Sequence, residues 1–464
     1  MAPARAQSAV RSSGTGVGSN WWAALLDGPR SRSDRTSRLR SCTARAARLT
    51  SAAGKHRAAR LLLDAALRAR QAATSRGELL VVARALLRAV ACARGDAPLQ
   101  RSARERLALL LCQEGLASEA GLDALLARGG YSHRLASHCL RYEEEEAAPS
   151  AAGRAAAMAW HCLARPVPPP VPPPGGGARG GAFVACLEGA LPRGMVGRLA
   201  AALGPSSPFW ASHGYICDGV RLASPFFSYV HSLRGPPASG LDRAIRRLQR
   251  LAAAAMPEVA EAGHAEWWAH CRPHATGHQM HFDSADEGRG ARGPRHPLVS
   301  CALFLTSSAG GPTLVTDQTP RCSSLASSGY AALPRANRLL LFGGSMLHGV
   351  VPGRGARGGA ARVSLMVAFW PSLEAREAAE PSAARPFPYG GAPEWAPLFD
   401  WPEEEDGDGA TGGGGGESEG REGDSTRPAP LRLVSPIWQS VQGGGAPAAG
   451  LRRMPPYEAC FQGF

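Results

Sequence analysis

The sequence predicts an α+β multidomain protein, in which an N-terminal α-helical bundle or array is followed by an antiparallel β-sandwich or jelly roll. Apolar residues recur at helical spacing between residues 55 and 165, and a Pro- and Gly-rich stretch fills residues 166–181. Seven short β-like runs, separated by Gly and Pro turns, then lie between residues 265 and 370. At 464 residues the chain is also long for one domain, so we expect more than one folded unit.

Shifts in composition divide the chain into segments. The predicted segments are a basic leader (1–54), an α-helical domain (55–165), a Pro/Gly linker (166–181), a β domain (182–400), an acidic, Gly-rich disordered insertion (401–430) and a C-terminal segment that packs on the β domain (431–464).

The positive charge is concentrated at the N-terminus. Residues 1–60 hold twelve Arg or Lys and two acidic residues, which is +10 of the formal net charge of +14. The segment is rich in Arg, Ser and Ala, as transit peptides are, but a disordered basic leader fits equally well. We therefore expect an intracellular protein, either targeted to a chloroplast or mitochondrion or cytoplasmic.

Two other classes of protein are disfavoured by the composition. The eleven Cys are scattered and include no C-x-x-C pair, which indicates reduced thiols and not a disulfide framework or a zinc site. No apolar run approaches the roughly 18 residues that a membrane-spanning helix requires, so no transmembrane segment is predicted.

The α-helical domain is predicted from three Leu- and Ala-rich runs. Residues 61–70, 78–90 and 106–112 place apolar side chains at i, i+3 and i+4. Gly- and Pro-containing breaks separate units of about 20 residues, which predicts four to six antiparallel helices. A bundle is favoured, and an array of helical hairpins remains an alternative. The linker after this domain excludes both helix and sheet, because Pro lacks a backbone donor and Gly loses much entropy on folding.

The β domain is predicted from runs rich in β-branched and aromatic residues. Because these runs are short and closely spaced, they suggest a sandwich or jelly roll. The runs are 265–272, 279–283, 298–306, 312–317, 338–342, 348–352 and 362–370.

Three side chains in this domain are of the types that commonly bind a metal ion. His281 and Asp283 lie at positions i and i+2, which in a strand places both side chains on one face and that of Phe282 on the other. His348 opens a later strand. Two neutral imidazoles and one carboxylate suit iron(II) and leave coordination positions open for other ligands. The sequence therefore predicts an iron site at His281, Asp283 and His348.

The open positions can accept the keto and carboxylate oxygens of a 2-oxo acid together with O2. The far carboxylate of a 2-oxo diacid then needs a buried cation, for which the planar guanidinium fork of Arg is best suited. Arg362 lies fourteen residues after His348 and opens the last apolar strand. Ser364, two positions further, should face the same pocket and can donate a hydroxyl hydrogen bond.

The order and spacing of four motifs resemble those of the 2-oxoglutarate- and iron(II)-dependent dioxygenases, of the prolyl 4-hydroxylase-like type. The resemblance extends over about residues 182–372. The motifs are Q-M-H-F-D (279–283), G-G-P-T-L-V (310–315), R-L-L-L-F-G-G-S-M-L-H-G-V-V-P (338–352) and R-V-S (362–364).

This resemblance implies a double-stranded β-helix (jelly-roll) catalytic domain that holds iron(II) and uses 2-oxoglutarate and O2, with ascorbate as a further reductant. The expected reaction is hydroxylation of a substrate C–H bond. The implied residues are His281, Asp283 and His348 for the metal and catalysis, and Arg362, Ser364 and Thr313 for 2-oxoglutarate.

Two departures from the family bear on the substrate. Collagen-type prolyl hydroxylases have Lys at the position of Arg362, so proline is not fixed as the substrate. Nucleic-acid demethylases have a second Arg six residues after the first, where this chain has Ala368, which makes nucleic acid an unfavoured partner. A protein is favoured over a metabolite because a helical domain is tethered to the β domain. The identity of the substrate and the oligomeric state stay open.

Two alternative functions are compatible with the sequence. One is a non-catalytic interaction protein, in which the helical scaffold is the working part and the jelly roll is a relic. The other is a nucleic-acid-modifying oxygenase that the basic leader draws to its target.

Roles can also be predicted for residues close in sequence to the candidate metal ligands. His278 is three positions from His281, off the alternating face of the strand, so it is predicted to support the ligands or the fold. His274 is predicted to lie in a loop or pocket wall. The loop at 284–297 is a candidate substrate lid or an ordinary hairpin loop.

Overall fold

The computed structural model describes most of the predicted helical and β segments. The described residues are 32–143, 184–215, 226–285, 294–322, 324–375, 384–389, 393–403, 406, 426–443 and 459–463. The predicted linker and residues 1–31 of the leader lie outside these ranges, as do residues 286–293 of the candidate lid and 407–425 of the predicted insertion.

The helices occupy the N-terminal part of the chain and three positions in the β domain. They are α1 (Arg32–Ala46), α2 (Ala52–Ala72), α3 (Arg76–Cys92), α4 (Ala97–Gln113), α5 (Glu119–Ala127), α6 (Ser137–Leu140), α7 (Arg193–Ala202), α8 (Pro208–Ser212) and α9 (Gly240–Ala255). None of these described helices is long and apolar enough to cross a membrane.

Side-chain caps set where the N-terminal helices begin. Ser51 accepts a hydrogen bond from the first turn of α2, and Asp96 accepts one from Leu99 N at the start of α4 at 2.9 Å. Ser75 and Glu78 form a reciprocal capping box at the start of α3. The consecutive helices α2, α3 and α4 then pack on one another around a shared buried core of Ala and Leu side chains.

The strands fall into three sheets. They are β1 (His133–Leu135), β2 (Val184–Glu188), β3 (Ser228–Ser232), β4 (His264–Pro273), β5 (His278–His281), β6 (Val299–Phe304), β7 (Thr313–Thr316), β8 (Gly329–Ala332), β9 (Arg338–Gly343), β10 (His348–Val350), β11 (Ala361–Trp370), β12 (Ala384–Pro386), β13 (Arg427–Pro428), β14 (Arg432–Val434), β15 (Trp438–Ser440) and β16 (Cys460–Phe461).

Two of the sheets are large. The eight-stranded sheet has the order β12-β3-β4-β11-β6-β9-β2-β13, and the five-stranded sheet has the order β14-β8-β7-β10-β5. Neighbouring strands are antiparallel in both, except for β12 beside β3. Each of the seven runs predicted from the sequence overlaps one of these strands, namely β4, β5, β6, β7, β9, β10 and β11. The structure is therefore a mixed helical and β fold with large antiparallel sheets.

The main core lies against the centre of the eight-stranded sheet. β11 pairs with β4 on one side and β6 on the other, and every residue from Arg362 to Trp370 is buried. Trp267 on β4 is fully buried, and its indole Nε1 donates to His231 Nε2 at 2.7 Å. The same core includes Val315 and Ala332 of the five-stranded sheet, so the two sheets share one interior.

The opposite face of the five-stranded sheet is covered by helices and by the C-terminal strands. A second apolar cluster joins Leu314 of β7 to Leu109 of α4 and to Phe461 of β16. β15 and β16 flank β1 in a three-stranded sheet, and β14 pairs with β8. The C-terminal segment thus contacts both the helical part and the β domain.

Hydrogen bonds join the N-terminal helices to the segment between β10 and β11. The Gln113 side chain accepts from Arg70 Nη2 at 2.6 Å and donates to the backbone oxygen of Pro352 at 2.9 Å. The amide nitrogen of Gly358 donates to Ala73 O at 2.8 Å. The N-terminal helices therefore pack beside the two strands that carry His348 and Arg362.

Candidate metal centre

The three predicted metal ligands converge at one edge of the five-stranded sheet. β10 pairs with β5 so that His348 lies directly opposite His281, and Asp283 follows two residues after the end of β5. The Oδ1 atom of Asp283 lies 3.6 Å from Nε2 of His281 and 3.6 Å from Nε2 of His348. The candidate ligand atoms all lie within 4.8 Å of one another, a separation at which one metal ion can contact all three.

Backbone carbonyl groups orient both imidazoles toward this centre. Nδ1 of His281 donates to the backbone oxygen of Gln279 at 2.8 Å, and Nδ1 of His348 donates to that of Met346 at 3.0 Å. With the proton on Nδ1, the Nε2 atom of each ring presents a lone pair. Nε2 of His348 is buried and has no hydrogen-bond partner. A buried acceptor of this kind is expected of a metal ligand, so these residues fit an ion.

The Asp283 carboxylate is held by its second oxygen. Ser300 on β6 donates its hydroxyl proton to Oδ2 at 2.6 Å, which leaves Oδ1 facing the two imidazoles. The backbone oxygen of Asp283 accepts from Nδ1 of His296 at 2.6 Å. The carboxylate is therefore oriented to bind a metal through a single oxygen.

The site keeps His281 in the form that a metal binds. Desolvation, together with the neighbouring His348 ring, lowers the pKa of His281 to about 4. The imidazole is therefore neutral near pH 7 without any metal, and no proton has to leave before an ion binds.

Arg362 lies across the cavity at the start of β11. Its side chain is buried, and its Nη2 atom donates to the Thr313 hydroxyl at 2.8 Å. Its Nε atom is buried without a partner, and its guanidinium carbon lies 5.1 Å from the centre of the Phe304 ring. Desolvation and the like charge of Arg272 lower the pKa of Arg362 to about 10, so the group is still a cation at neutral pH.

One cavity connects these groups. The cavity is lined by every predicted site residue except Asp283, which lies behind the imidazoles of His281 and His348. Ser364 is almost completely buried and forms part of the cavity wall. Its lining residues are His270, Arg272, Thr276, His278, His281, Thr313, His348, Gly349, Val350, Arg362, Ser364 and Met366.

The position of His278 in this cavity results from a β-bulge. Across β10, His348 pairs with His281 and Val350 with His278, so a two-residue step on β10 is matched by a three-residue step on β5. A bulge breaks strict alternation and re-aims a side chain. The rings of His278 and His281 consequently lie 4.6 Å apart between centroids, although their spacing predicts opposite faces.

His270 and Arg272 are cavity residues that the sequence did not indicate. Both lie on β4, where Ser364 pairs with His270 and Arg362 pairs with Arg272. Because side chains alternate along a strand, His270 and Arg272 lie on the same face of β4. Once the pairing of β4 with β11 is known, this alternation predicts that both side chains line the cavity. Burial, with Arg272 as the next cause, holds the pKa of His270 well below its usual range.

The chain is similar to several solved structures. One is a prolyl-4-hydroxylase from Pseudomonas putida, with 18% identity and a TM-score of 0.28, covering 40% of this chain and 92% of that one. A second is HygX from Streptomyces hygroscopicus with nickel and 2-oxoglutarate bound, with 10% identity and a TM-score of 0.25, covering 44% and 92%. A third is an oxidoreductase of the 2OG-Fe(II) oxygenase family from Burkholderia pseudomallei, with 14% identity and a TM-score of 0.24, covering 44% and 89%.

One of these structures is named as a prolyl-4-hydroxylase and another as a member of the 2OG-Fe(II) oxygenase family. No protein-family model matches the chain, and no curated protein matches it. Because the TM-scores are low, the proposed function depends on the chain's own side chains.

His274, predicted to lie in a loop or pocket wall, ties together the backbone around Arg362 and is not among the residues that line the cavity. Its Nδ1 atom accepts from Gly310 N at 2.9 Å, and its Nε2 atom donates to Arg354 O at 2.7 Å. Gly310 has a φ of 78°, and a Cβ there would lie 2.6 Å from Cδ of Arg362. Gly310, the first glycine of the G-G-P-T-L-V motif, is therefore required because the Arg362 side chain approaches its backbone closely.

Replacing Ser300 with alanine is expected to weaken Mn(II) binding about 10- to 100-fold, because the hydroxyl that fixes Oδ2 of Asp283 is lost. Calorimetric titration of the purified variant with Mn(II) measures this. Ser228→Ala is the matched control, since Ser228 is also a fully buried strand serine but its hydroxyl has no partner. Equal loss of affinity in both variants would show that general destabilisation is the cause.

Proposed function

We propose that this chain is an iron(II)- and 2-oxoglutarate-dependent oxygenase that hydroxylates a substrate C–H bond. The observation that supports this most directly is the convergence of Nε2 of His281, Nε2 of His348 and Oδ1 of Asp283 in a cavity that also contains the buried Arg362 guanidinium. The overall reaction converts substrate C–H, O2 and 2-oxoglutarate into the hydroxylated product, succinate and CO2.

The donor set favours iron(II) over other common ions. Two imidazoles and one carboxylate on one side of a metal leave adjacent positions open, which suits non-haem iron(II) in oxygenases. When bound, the iron supplies the site at which O2 is activated. The chain's own residues hold the ion in place, since His281 and His348 are each fixed by a backbone carbonyl and Asp283 by Ser300.

Arg362, Thr313 and Ser364 form the proposed site for the far carboxylate of 2-oxoglutarate. The guanidinium is buried against Phe304, so its charge is poorly screened by water. Thr313 already holds one of its nitrogens and supplies a hydroxyl on the opposite sheet. A carboxylate placed here gains a charge-assisted pair in a dry environment.

For the substrate, we propose a protein over a free metabolite. The N-terminal helices reach the cavity wall, where Gln71 Nε2 donates to the hydroxyl of Thr276 at 3.2 Å, and Thr276 lines the cavity. A second folded unit placed at the wall of a cavity offers additional surface for a large substrate.

Binding and product formation test the proposed function. Calorimetry should show that Mn(II) binds and that 2-oxoglutarate then binds only to the metal-loaded protein. With iron(II) and ascorbate, the protein should also form succinate from 2-oxoglutarate. A relic jelly roll would bind neither ligand, so the absence of both heat signals would contradict the proposal.

A further inference from the structure

The cavity contains a second arginine, Arg272, whose charge has no ion-pair partner among the residues that the structure describes. Arg272 lies directly opposite Arg362 in the pairing of β4 with β11, so the two arginines line the same cavity from adjacent strands. Its Nε atom is buried without a hydrogen bond, and no described carboxylate forms an ion pair with it. Arg272 is only partly exposed, so a guanidinium without a counter-ion there has lost part of its hydration, which indicates that an anion completes the site.

The neighbours of Arg272 cannot neutralise its charge. His270 and His278 line the same part of the cavity, and an imidazole is either neutral or cationic. The charge of Arg272 also acts on its surroundings, since it contributes to lowering the pKa of Arg362 and of His270. An anion bound beside Arg272 would remove this repulsion.

The co-substrate does not supply that anion if the proposed function is correct, and the following step rests on that proposal. One carboxylate of 2-oxoglutarate binds the metal and the other pairs with Arg362. The charges of a divalent ion, Asp283, Arg362 and dianionic 2-oxoglutarate then cancel. The positive charge of Arg272 remains without a counterpart in the loaded site.

The position of Arg272 separates it from the Arg362 end of the cavity. Arg362 extends toward Thr313 on β7, whereas Arg272 lies near the end of β4, where the chain turns through Thr276 into β5. Thr276 in this turn and His278 at the start of β5 both line the cavity. We infer that Arg272 binds a carboxylate of the substrate itself, so that the enzyme acts on an acidic substrate and selects it through this side chain.

Matched neutral and acidic probes test this inference. N-acetyl amino acid amides of Asp and Glu are titrated into protein loaded with Mn(II) and 2-oxoglutarate, and compared with those of Asn and Gln. We expect the acidic member of each pair to bind about tenfold or more tightly, because the guanidinium fork pairs with a carboxylate but not with an amide. Equal binding of the two members, or binding of neither, would overturn the inference.

Three variants identify the side chain responsible. Arg272→Gln should abolish the preference for acidic probes, and Arg272→Lys should retain part of it because the charge remains without the fork. Arg250→Gln, which removes an exposed arginine of α9, should leave the preference intact. In the ligand-free protein, Arg272→Gln should leave the melting temperature unchanged or raise it, since a partly buried charge without an ion-pair partner is removed. A lower melting temperature would indicate a structural role and contradict the inference.

Binding of 2-oxoglutarate separates this inference from the proposed function. If Arg272→Gln weakens 2-oxoglutarate binding more than about tenfold, Arg272 is a co-substrate residue and the inference about the substrate is wrong. If the unmodified protein binds neither Mn(II) nor 2-oxoglutarate, the proposed function itself fails. Intact binding of both without a preference for acidic probes contradicts only the role of Arg272.

Discussion

Replacing Asp283 with asparagine is expected to lower the affinity for Mn(II) by more than about 100-fold and to abolish succinate formation, a larger loss than that from an outer hydrogen-bond partner. The change keeps the shape of the side chain but removes the negative charge that faces His281 and His348, each 3.6 Å away. The two imidazoles alone are then left to hold the ion. Calorimetric titration with Mn(II) and an assay of succinate with iron(II) measure the two effects.

The control for this prediction is Asp400→Asn, which changes an exposed aspartate outside the cavity and should leave metal binding unchanged. His278→Ala serves as a second comparison, because its ring lies 4.6 Å from that of His281 but is not part of the three-residue group. Metal binding that survives Asp283→Asn and is lost in His278→Ala would show that the ion uses a different set of ligands.

The three candidate metal ligands could be proposed from the sequence because two of them depend on short-range geometry. His281 and Asp283 are two residues apart, and extended backbone places such neighbours on one side. His348 was found from its own position at the start of an apolar run. What the sequence could not supply is the register of β10 against β5, which sets His348 opposite His281 and creates the bulge that turns His278 into the cavity.

Arg272 illustrates why some cavity residues could not be predicted from the sequence. The chain holds 52 Lys and Arg residues, so the presence of one more arginine in a strand carries little information. Only the pairing of β4 with β11 places Arg272 beside Arg362. Such pairing joins segments about 90 residues apart, and local patterns do not fix a register over that distance.

The contact between the N-terminal helices and the cavity wall is a long-range feature of the same kind. Helical spacing predicts that α2 and α3 form, and the caps at Ser51 and Ser75 agree with where they begin. It does not predict that Gln71 reaches Thr276, because that hydrogen bond depends on how the N-terminal helices pack against the segment between β4 and β5. Local sequence patterns therefore predict the helices and strands, but they do not predict how these elements pack around the cavity.

Replacing Arg362 with glutamine is expected to weaken 2-oxoglutarate binding by about 2 to 5 kcal/mol, which is roughly 30-fold to several thousand-fold in Kd. The cause is loss of the buried charge that the proposal assigns to the far carboxylate, while Thr313 and Ser364 remain to donate only neutral hydrogen bonds. Calorimetry with Mn(II)-loaded protein measures the change. Mn(II) affinity itself should be unaffected, since Arg362 is not one of the three candidate ligands.

A shorter co-substrate separates a lost ion pair from a damaged cavity. 2-Oxobutyrate has the same keto acid group as 2-oxoglutarate but no far carboxylate, so Arg362→Gln should not weaken its binding. Arg362→Lys should fall between the wild-type protein and Arg362→Gln, because lysine keeps the charge but presents a point donor in place of a planar fork. If Arg362→Gln weakens both acids equally, the arginine supports the shape of the cavity, and the far carboxylate must be bound by another cation, for which Arg272 is the neighbour in place.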